Sequence, residues 1–316
     1  MAVAGGALGA QGVRITGRIL IGGTPPRPAA GVWAVLHGVT RGGGGPVDSV
    51  RTDATGRFTM RLARVDSTAI YVVNGWRAGI AYFSEPLQLT GRTTAEFPTL
   101  TVYDTASTGT PIVLAQRLIS ITRAHTDGTR DVLEIIRLQN RDAATRVTND
   151  STRPVWQGAL PAAAIQWQVG ESDVSAQTVV RRGDRVALLA PLAPGAEGKQ
   201  ISWGYVIPAN VTTLPIPVDQ ETGEVDLLLE DTAAVVTSPG LAKLPVDTLE
   251  GRWFARYRTG PLAAGVVVAI EFPRGGFRPQ RLLPWLIGLV VVAFAVALIV
   301  ALRRKPAALA AGPAKH

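Results

Sequence analysis

Residues 282–302, LLPWLIGLVVVAFAVALIVAL, run for 21 positions without a charged or strongly polar side chain. A helix rises about 1.5 Å per residue, so a run of this length reaches the roughly 30 Å of a bilayer's hydrocarbon core. A buried helix of a water-soluble domain is rarely so long and so apolar, and the stretch is predicted to be one C-terminal transmembrane helix. Pro284 stands at its start, where a missing N–H costs little, and Trp285 suits the headgroup level. The small pair Ala293 and Ala297 would let another helix approach, Gly288 belongs with them to the anchor, and Arg303, Arg304 and Lys305 close the span with a basic stop. No ionisable group inside the run offers a proton or ion path, so the segment reads as an anchor.

Everything else must be arranged around that anchor. Residues 274–281 form a basic juxtamembrane linker with Arg274, Arg278 and Arg281, and 303–316 a short tail. Charge on the two flanks is nearly balanced, so orientation leans on the N-terminus: residues 1–11 read either as the end of an export signal, with Ala7 and Gly9 before a cut at Ala10, or as a flexible small-residue start. The expected setting is a bacterial inner membrane crossed once, with the tail in the cytoplasm and the bulk of the chain in the periplasm.

The net charge of +8 comes from 32 Lys and Arg against 24 Asp and Glu, and seven of the basic residues lie after Pro273 with no acid among them. Residues 1–273 are therefore almost neutral, lacking the basic face that phosphate contacts demand, and no nucleic acid is expected as a partner. With no cysteine there is no disulfide, thiolate nucleophile or Cys-held metal.

The periodicity of the body is that of strands. Val13, Ile15 and Ile19 alternate with Arg14, Thr16 and Arg18, and GVWAVLHGV is apolar on both faces, as in a central strand. AIYVVNGW and IAYFSEPLQL follow, with GGTPPRP and RGGGGPVD between as loops. In RTDATGRFTM, Asp53 and Gly56 suit a tight turn in which the carboxylate accepts main-chain N–H bonds and the glycine takes a positive φ. Alternate-position ligands and a closing Glu are missing, which removes an EF-hand. Phe58, Met60 and Leu62 then alternate with Arg57, Thr59 and Arg61 as a half-buried strand.

Gly17, the Pro-rich connection, the strand from Val32 to Leu36, and Thr52, Asp53, Gly56 and Phe58 together resemble the carboxypeptidase regulatory-like domain, a transthyretin-like β-sandwich. The resemblance covers 12–99 and implies an extracytoplasmic sandwich without peptidase activity. It departs at ARVDSTAIYVV, where that family usually has a Pro-Gly-Tyr turn.

Residues 100–273 read as a second sandwich of short strands, which makes the expected fold all-β: tandem immunoglobulin- or transthyretin-like β-sandwiches and one transmembrane helix. RLISITRAHTDGTRDVLEIIRLQN is read as a hairpin turning at Asp127 and Gly128, although DVLEIIRLQN alone also fits a helix.

Chemical motifs are sparse. His37, His125 and His316 lie in no H-E-x-x-H setting, there is no G-x-S-x-G elbow, and Gly42 to Gly45 run into Pro46 rather than a P-loop lysine, so they are read as a hairpin loop. The acids of DQETGEVDLLLED are read as exposed by a Thr-Gly turn and by strand alternation, and the RGD at Arg182 to Asp184 as a two-strand turn. No enzyme, cofactor, metal or small-molecule substrate is expected. Most of the aromatics are expected in the core, and the densest cluster, GWRAGIAYFSEP, nominates Arg77, Tyr82 and Phe83 as a binding edge.

Two readings follow. One is a non-catalytic structural or accessory subunit whose β domains dock on an integral-membrane protein complex while the helix holds the bilayer; the other is a tethered carbohydrate- or peptide-binding module. A single helix behind a β-rich extrinsic body is similar to accessory subunits of bacterial photosynthetic reaction-centre and light-harvesting complexes. That resemblance implies a pigment-free scaffold, because no His in the span can ligate a bacteriochlorophyll.

Overall fold

A computed structural model describes residues 12–249 and 251–273. The stretch 282–302, with Trp285, Gly288, Ala293 and Ala297, lies outside the described residues, as do 1–11, Arg303, Arg304 and Lys305; among the described residues no helix is long and apolar enough to cross a membrane. The chain divides into two compact units, 1–271 and 272–316.

The first unit is all-β. Its first nine strands are β1 (Val13–Ile21), β2 (Arg27–Pro28), β3 (Trp33–Thr40), β4 (Gly43–Arg51), β5 (Arg57–Leu62), β6 (Ile70–Arg77), β7 (Ile80–Phe83), β8 (Thr94–Glu96) and β9 (Leu100–Val102). Strand β1 pairs antiparallel with β2 and β5 and parallel with β8 and β9, while β4-β3-β6-β7 form a second, antiparallel sheet. The inner faces share one core: Ile15, Ile19, Phe58 and Met60 from the first sheet, Leu36, Tyr71, Val73 and Tyr82 from the second. Strand β5 alternates as expected, with Phe58, Met60 and Leu62 buried and Arg57, Thr59 and Arg61 exposed. Gly17 sits opposite Phe58, and a Cβ there would stand 2.4 Å from the phenyl ring, so glycine is what lets the ring lie across β1.

The remaining strands are β10 (Thr105–Ala106), β11 (Val113–Ile121), β12 (Arg130–Gln139), β13 (Thr145–Arg146), β14 (Trp156–Ala159), β15 (Ile165–Val169), β16 (Val179–Arg182), β17 (Arg185–Leu188), β18 (Lys199–Ile207), β19 (Thr213–Val218), β20 (Thr222–Leu229), β21 (Val235–Thr237), β22 (Leu241–Leu249), β23 (Arg252–Thr259) and β24 (Val266–Glu271). Seven of them form one sheet in the order β15-β18-β12-β11-β20-β23-β22. Two three-stranded sheets, β19-β24-β21 and β14-β17-β16, and the parallel pair β10-β13 complete the region. Arg117 of β11 reaches from the large sheet to the Pro217 carbonyl of β19, 2.9 Å away, which places those two sheets face to face. The strand pairings of the described residues stay either within 13–102 or within 105–271.

The Asp53 turn forms as expected, with Gly56 at φ +79° and a Cβ there only 2.3 Å from the Ile19 carbonyl oxygen. Its chemistry recurs. Asp53, Asp66, Asp127 and Asp150 each accept, through Oδ1, the backbone N–H and the hydroxyl of a threonine two residues on, at 2.7–2.9 Å. The threonine hydroxyl is the main reason that each carboxyl is held below its ordinary value, helped by the N–H bonds. Because the folded pKa lies below the unfolded one, the stabilisation is complete above the ordinary carboxylate pKa and is lost as pH falls through the depressed values. Thermal melts are expected to be flat from pH 7 to 5 and to fall below about pH 4. Asp→Asn at all four positions should reduce that acid-side fall; an unchanged fall would assign it to other carboxylates.

Two local readings are corrected. Gly43, Gly44 and Gly45 are not a loop: they pair with Thr40, Val39 and Gly38 inside β4, leaving Arg41 and Gly42 as the turn, because glycine backbones pair well yet carry no alternation to announce it. Thr222 and Gly223 begin β20 instead of making a turn, and the reversal falls on 219–221. Most of the described aromatics are buried, as expected, Trp156, Trp203, Tyr205 and Phe254 among them, whereas Trp33, Trp76, Phe83 and Trp253 are exposed.

Candidate docking face

Strand β3 is central, paired with β4 on one side and β6 on the other, and its sequence is apolar on both faces. The core covers only one of them. Ala34 and Leu36 of β3, Tyr71 and Val73 of β6 and Tyr82 of β7 point inward and are buried. Strand alternation therefore turns Trp33, Val35 and His37, Ile70, Val72, Asn74 and Trp76, and Phe83 to the outer face. Ile70, Trp33, Trp76 and Phe83 are 39, 46, 52 and 57 % exposed there. A cluster of this kind on one side of a sheet is the unusual feature, since single exposed apolar residues are common.

The outer face has an internal order. Asn74 is flanked in register by Val35 and Phe83, and His37 by Val72. The Phe83 ring lies 6.2 Å from the His37 ring, and the Arg51 guanidinium of β4 sits 4.7 Å from the Trp33 ring centroid, within cation–π range. Asn74 is only 3 % exposed although it points away from the core, because the large side chains around it close over it. Its Oδ1, and Nε2 of His37, are shielded without a protein hydrogen-bond partner.

Of the three residues nominated from sequence, only Phe83 belongs to this face. Arg77 is bound to Asp104, with Nη2 2.7 Å and Nε 2.8 Å from Oδ1. Tyr82 points the other way: its hydroxyl donates to the Tyr103 carbonyl at 3.2 Å and lies 2.7 Å from the Thr145 hydroxyl, and burial raises its pKa. Arg77 and Tyr82 thus tie the strands of 13–102 to those that follow. Trp33, Trp76 and Ile70 were missed as members of one face; their signal is the two-sided apolarity of β3 and β6.

A concavity of about 430 Å³ lies on the large sheet, with Leu118, Ile135 and Leu228 among its lining. Its charges are largely spent on one another. Arg258 grips Asp226 with two bonds of 2.8 and 2.9 Å, and Arg256 stands 3.8 Å from Asp226 and 3.7 Å from Asp247. Two of the acids around 219–231 are paired likewise, Asp219 with Arg185 and Asp231 with Arg130. Among the described residues no group of three His, Cys, Asp or Glu is placed to hold a metal ion. In the RGD segment, Gly183 takes φ +61° in the β16–β17 turn and Arg182 donates to the Ser151 carbonyl.

No family model matches the chain, and no curated protein matches it. Among solved structures, a 9R-lipoxygenase from Cyanothece PCC8801 is similar at 16 % identity over 32 % of this chain and 18 % of that one, with a TM-score of 0.23. A two-domain M1 zinc metallopeptidase bound to L-tryptophan is similar at 9 % identity over 52 % of this chain and 43 % of that one, with a TM-score of 0.33. The chain spans less than half the length of either, and both likenesses are too slight to carry a functional argument.

Proposed function

We propose that this chain is a non-catalytic accessory subunit, built of tandem β-sandwiches on a single transmembrane helix at 282–302, that docks on a larger membrane protein complex. The carrying observation is the open aromatic face of β3, β6 and β7. Aromatic side chains on a rigid sheet give much contact area for little lost entropy, and they dominate the energetics of protein interfaces. The helix confines the body to its partner's membrane, in the expected periplasmic setting of a bacterial inner membrane. A photosynthetic reaction-centre or light-harvesting complex is one such partner, proposed from the resemblance of the chain plan alone.

Exposed tryptophans also favour a tethered carbohydrate- or peptide-binding module. The two readings differ in stoichiometry: a subunit leaves the membrane with a protein partner and a receptor leaves alone. Trp33→Ser, Trp76→Ser and Phe83→Ser together are expected to abolish co-purification of that partner from mild detergent, because each interface aromatic contributes about 2 kcal/mol, about 30-fold in Kd. Membrane insertion and the melting curve should change little, since none of the three side chains is in the core. Retained stoichiometric co-purification would place the docking site elsewhere.

A further inference from the structure

Asn74 stands in the middle of β6, IYVVNGWR, where asparagine is a poor strand former, and alternation turns it to the outer face with Val72 and Trp76. Across the strands its neighbours are Val35 and Phe83. The β6–β7 turn fixes the second of these. Ala78 and Gly79 take φ +49° and +80°, a two-residue turn that closes the hairpin at Arg77 and Ile80 and so sets Phe83 opposite Asn74. The result is a carboxamide in a residue only 3 % exposed, set among aliphatic and aromatic side chains, whose Oδ1 accepts no hydrogen bond among the described residues. A shielded amide left unpaired destabilises the free body, whereas an aliphatic side chain of similar shape does not. His37, diagonally across on β3, holds a second shielded atom without a partner, Nε2, and its ring lies 6.2 Å from that of Phe83.

The chemistry of the group narrows what can complete it. A carboxamide is uncharged and carries an acceptor and a donor side by side, the complement of the N–H and C=O of a peptide group. Its neighbours Val35, Val72, Trp76 and Phe83 are uncharged too, and Arg51, at the β4 edge of the face, is turned to the Trp33 ring and to the Gly31 carbonyl at 3.0 Å. One amide among apolar side chains suits one peptide group among apolar side chains better than it suits the many hydroxyls of a sugar, each of which needs a partner of its own. A main-chain group free to pair belongs to an extended segment, because inside a helix it is already bonded.

We infer that Asn74 is the polar anchor of the docking face and hydrogen-bonds a main-chain peptide group of an extended, apolar segment of the protein partner, laid over Trp76 and Phe83. The inference rests on the docking reading of this face and adds what the partner presents there. Phe83 lies on the edge strand of its sheet and is 57 % exposed, so its ring is free to turn aside and open Oδ1, a rotamer change of the kind common at interfaces.

The test uses the full chain in native membranes, with the photo-cross-linker p-benzoylphenylalanine in place of Ile70, on the same face of β6 as Asn74. Irradiation is expected to cross-link one protein. Asn74→Leu should lower that yield about tenfold or more, because the partner's peptide group is left unpaired, while the variant melts at the wild-type temperature or up to about 5 °C above it. Asn74→Asp should lose the cross-link as well, since a carboxylate cannot donate. A lower melting temperature for Asn74→Leu, or an unchanged cross-link, overturns the polar anchor and leaves the docking reading in place. A cross-link kept by Asn74→Asp means that the partner offers a cation, and capture of wild type but not Asn74→Leu on a glycan array means a sugar; either overturns the peptide contact. Wild type that cross-links no protein overturns the docking reading and the polar anchor with it.

Discussion

Arg117→Met is expected to destabilise the first unit by about 3–5 kcal/mol, because it leaves the buried Glu134 carboxylate without its cation. Glu134 of β12 is fully buried, and Oε2 receives Nε and Nη2 of Arg117 at 2.9 and 2.8 Å. Oε1 receives the Tyr205 hydroxyl at 2.7 Å. Burial, and then the negative charge of Glu134, push the Tyr205 phenol well above its ordinary value, in keeping with its hydroxyl donating to the carboxylate. The third arm of Arg117 holds the Pro217 carbonyl, so the substitution also frees an acceptor between the two sheets. Replacing both partners, Arg117→Met with Glu134→Leu, should recover part of the loss, since an apolar pair owes no desolvation while the Tyr205 hydroxyl and the Pro217 carbonyl still lose their partners. Urea unfolding followed by tryptophan fluorescence measures this. A single variant within 1 kcal/mol of wild type would show that water reaches Glu134.

Deleting 282–302 is expected to weaken assembly with the membrane partner by about 10²–10⁴-fold while the body keeps its melting temperature. On the proposed reading the anchor would make docking intramolecular within the membrane, so that its loss would remove effective concentration without removing a contact of the aromatic face. A pull-down titration of the partner against full-length and truncated chains reads the ratio, and equal affinities would mean that the body alone carries the interaction.

What the sequence discloses is local. Phe58, Met60 and Leu62 announce β5 by their spacing, and Asp53 with Gly56 and Asp127 with Gly128 announce turns by chemistry that needs no distant partner. Alternation says that a strand has two faces; it does not say which is covered. GVWAVLHGV therefore reads as a strand buried on both sides, whereas one side of β3 stands open, and this is where the candidate face lies. For the same reason Arg77, Tyr82 and Phe83 read as one cluster, while the period of two sends Tyr82 into the joint with Thr145 and Phe83 outward. Arg117 and Glu134, seventeen residues apart, give no sign in sequence of being a buried pair, because the layer that buries them, including Pro217 of β19, lies a hundred residues from Arg117.

The claim that the aromatic face and the anchor together hold this chain to a larger membrane complex is tested most directly by sedimenting mild-detergent extracts through a sucrose gradient. Wild type is expected in a large particle, and both the Trp33→Ser, Trp76→Ser, Phe83→Ser variant and the chain lacking 282–302 near the top of the gradient. Wild type migrating alone, or both variants still migrating with the large particle, would contradict it.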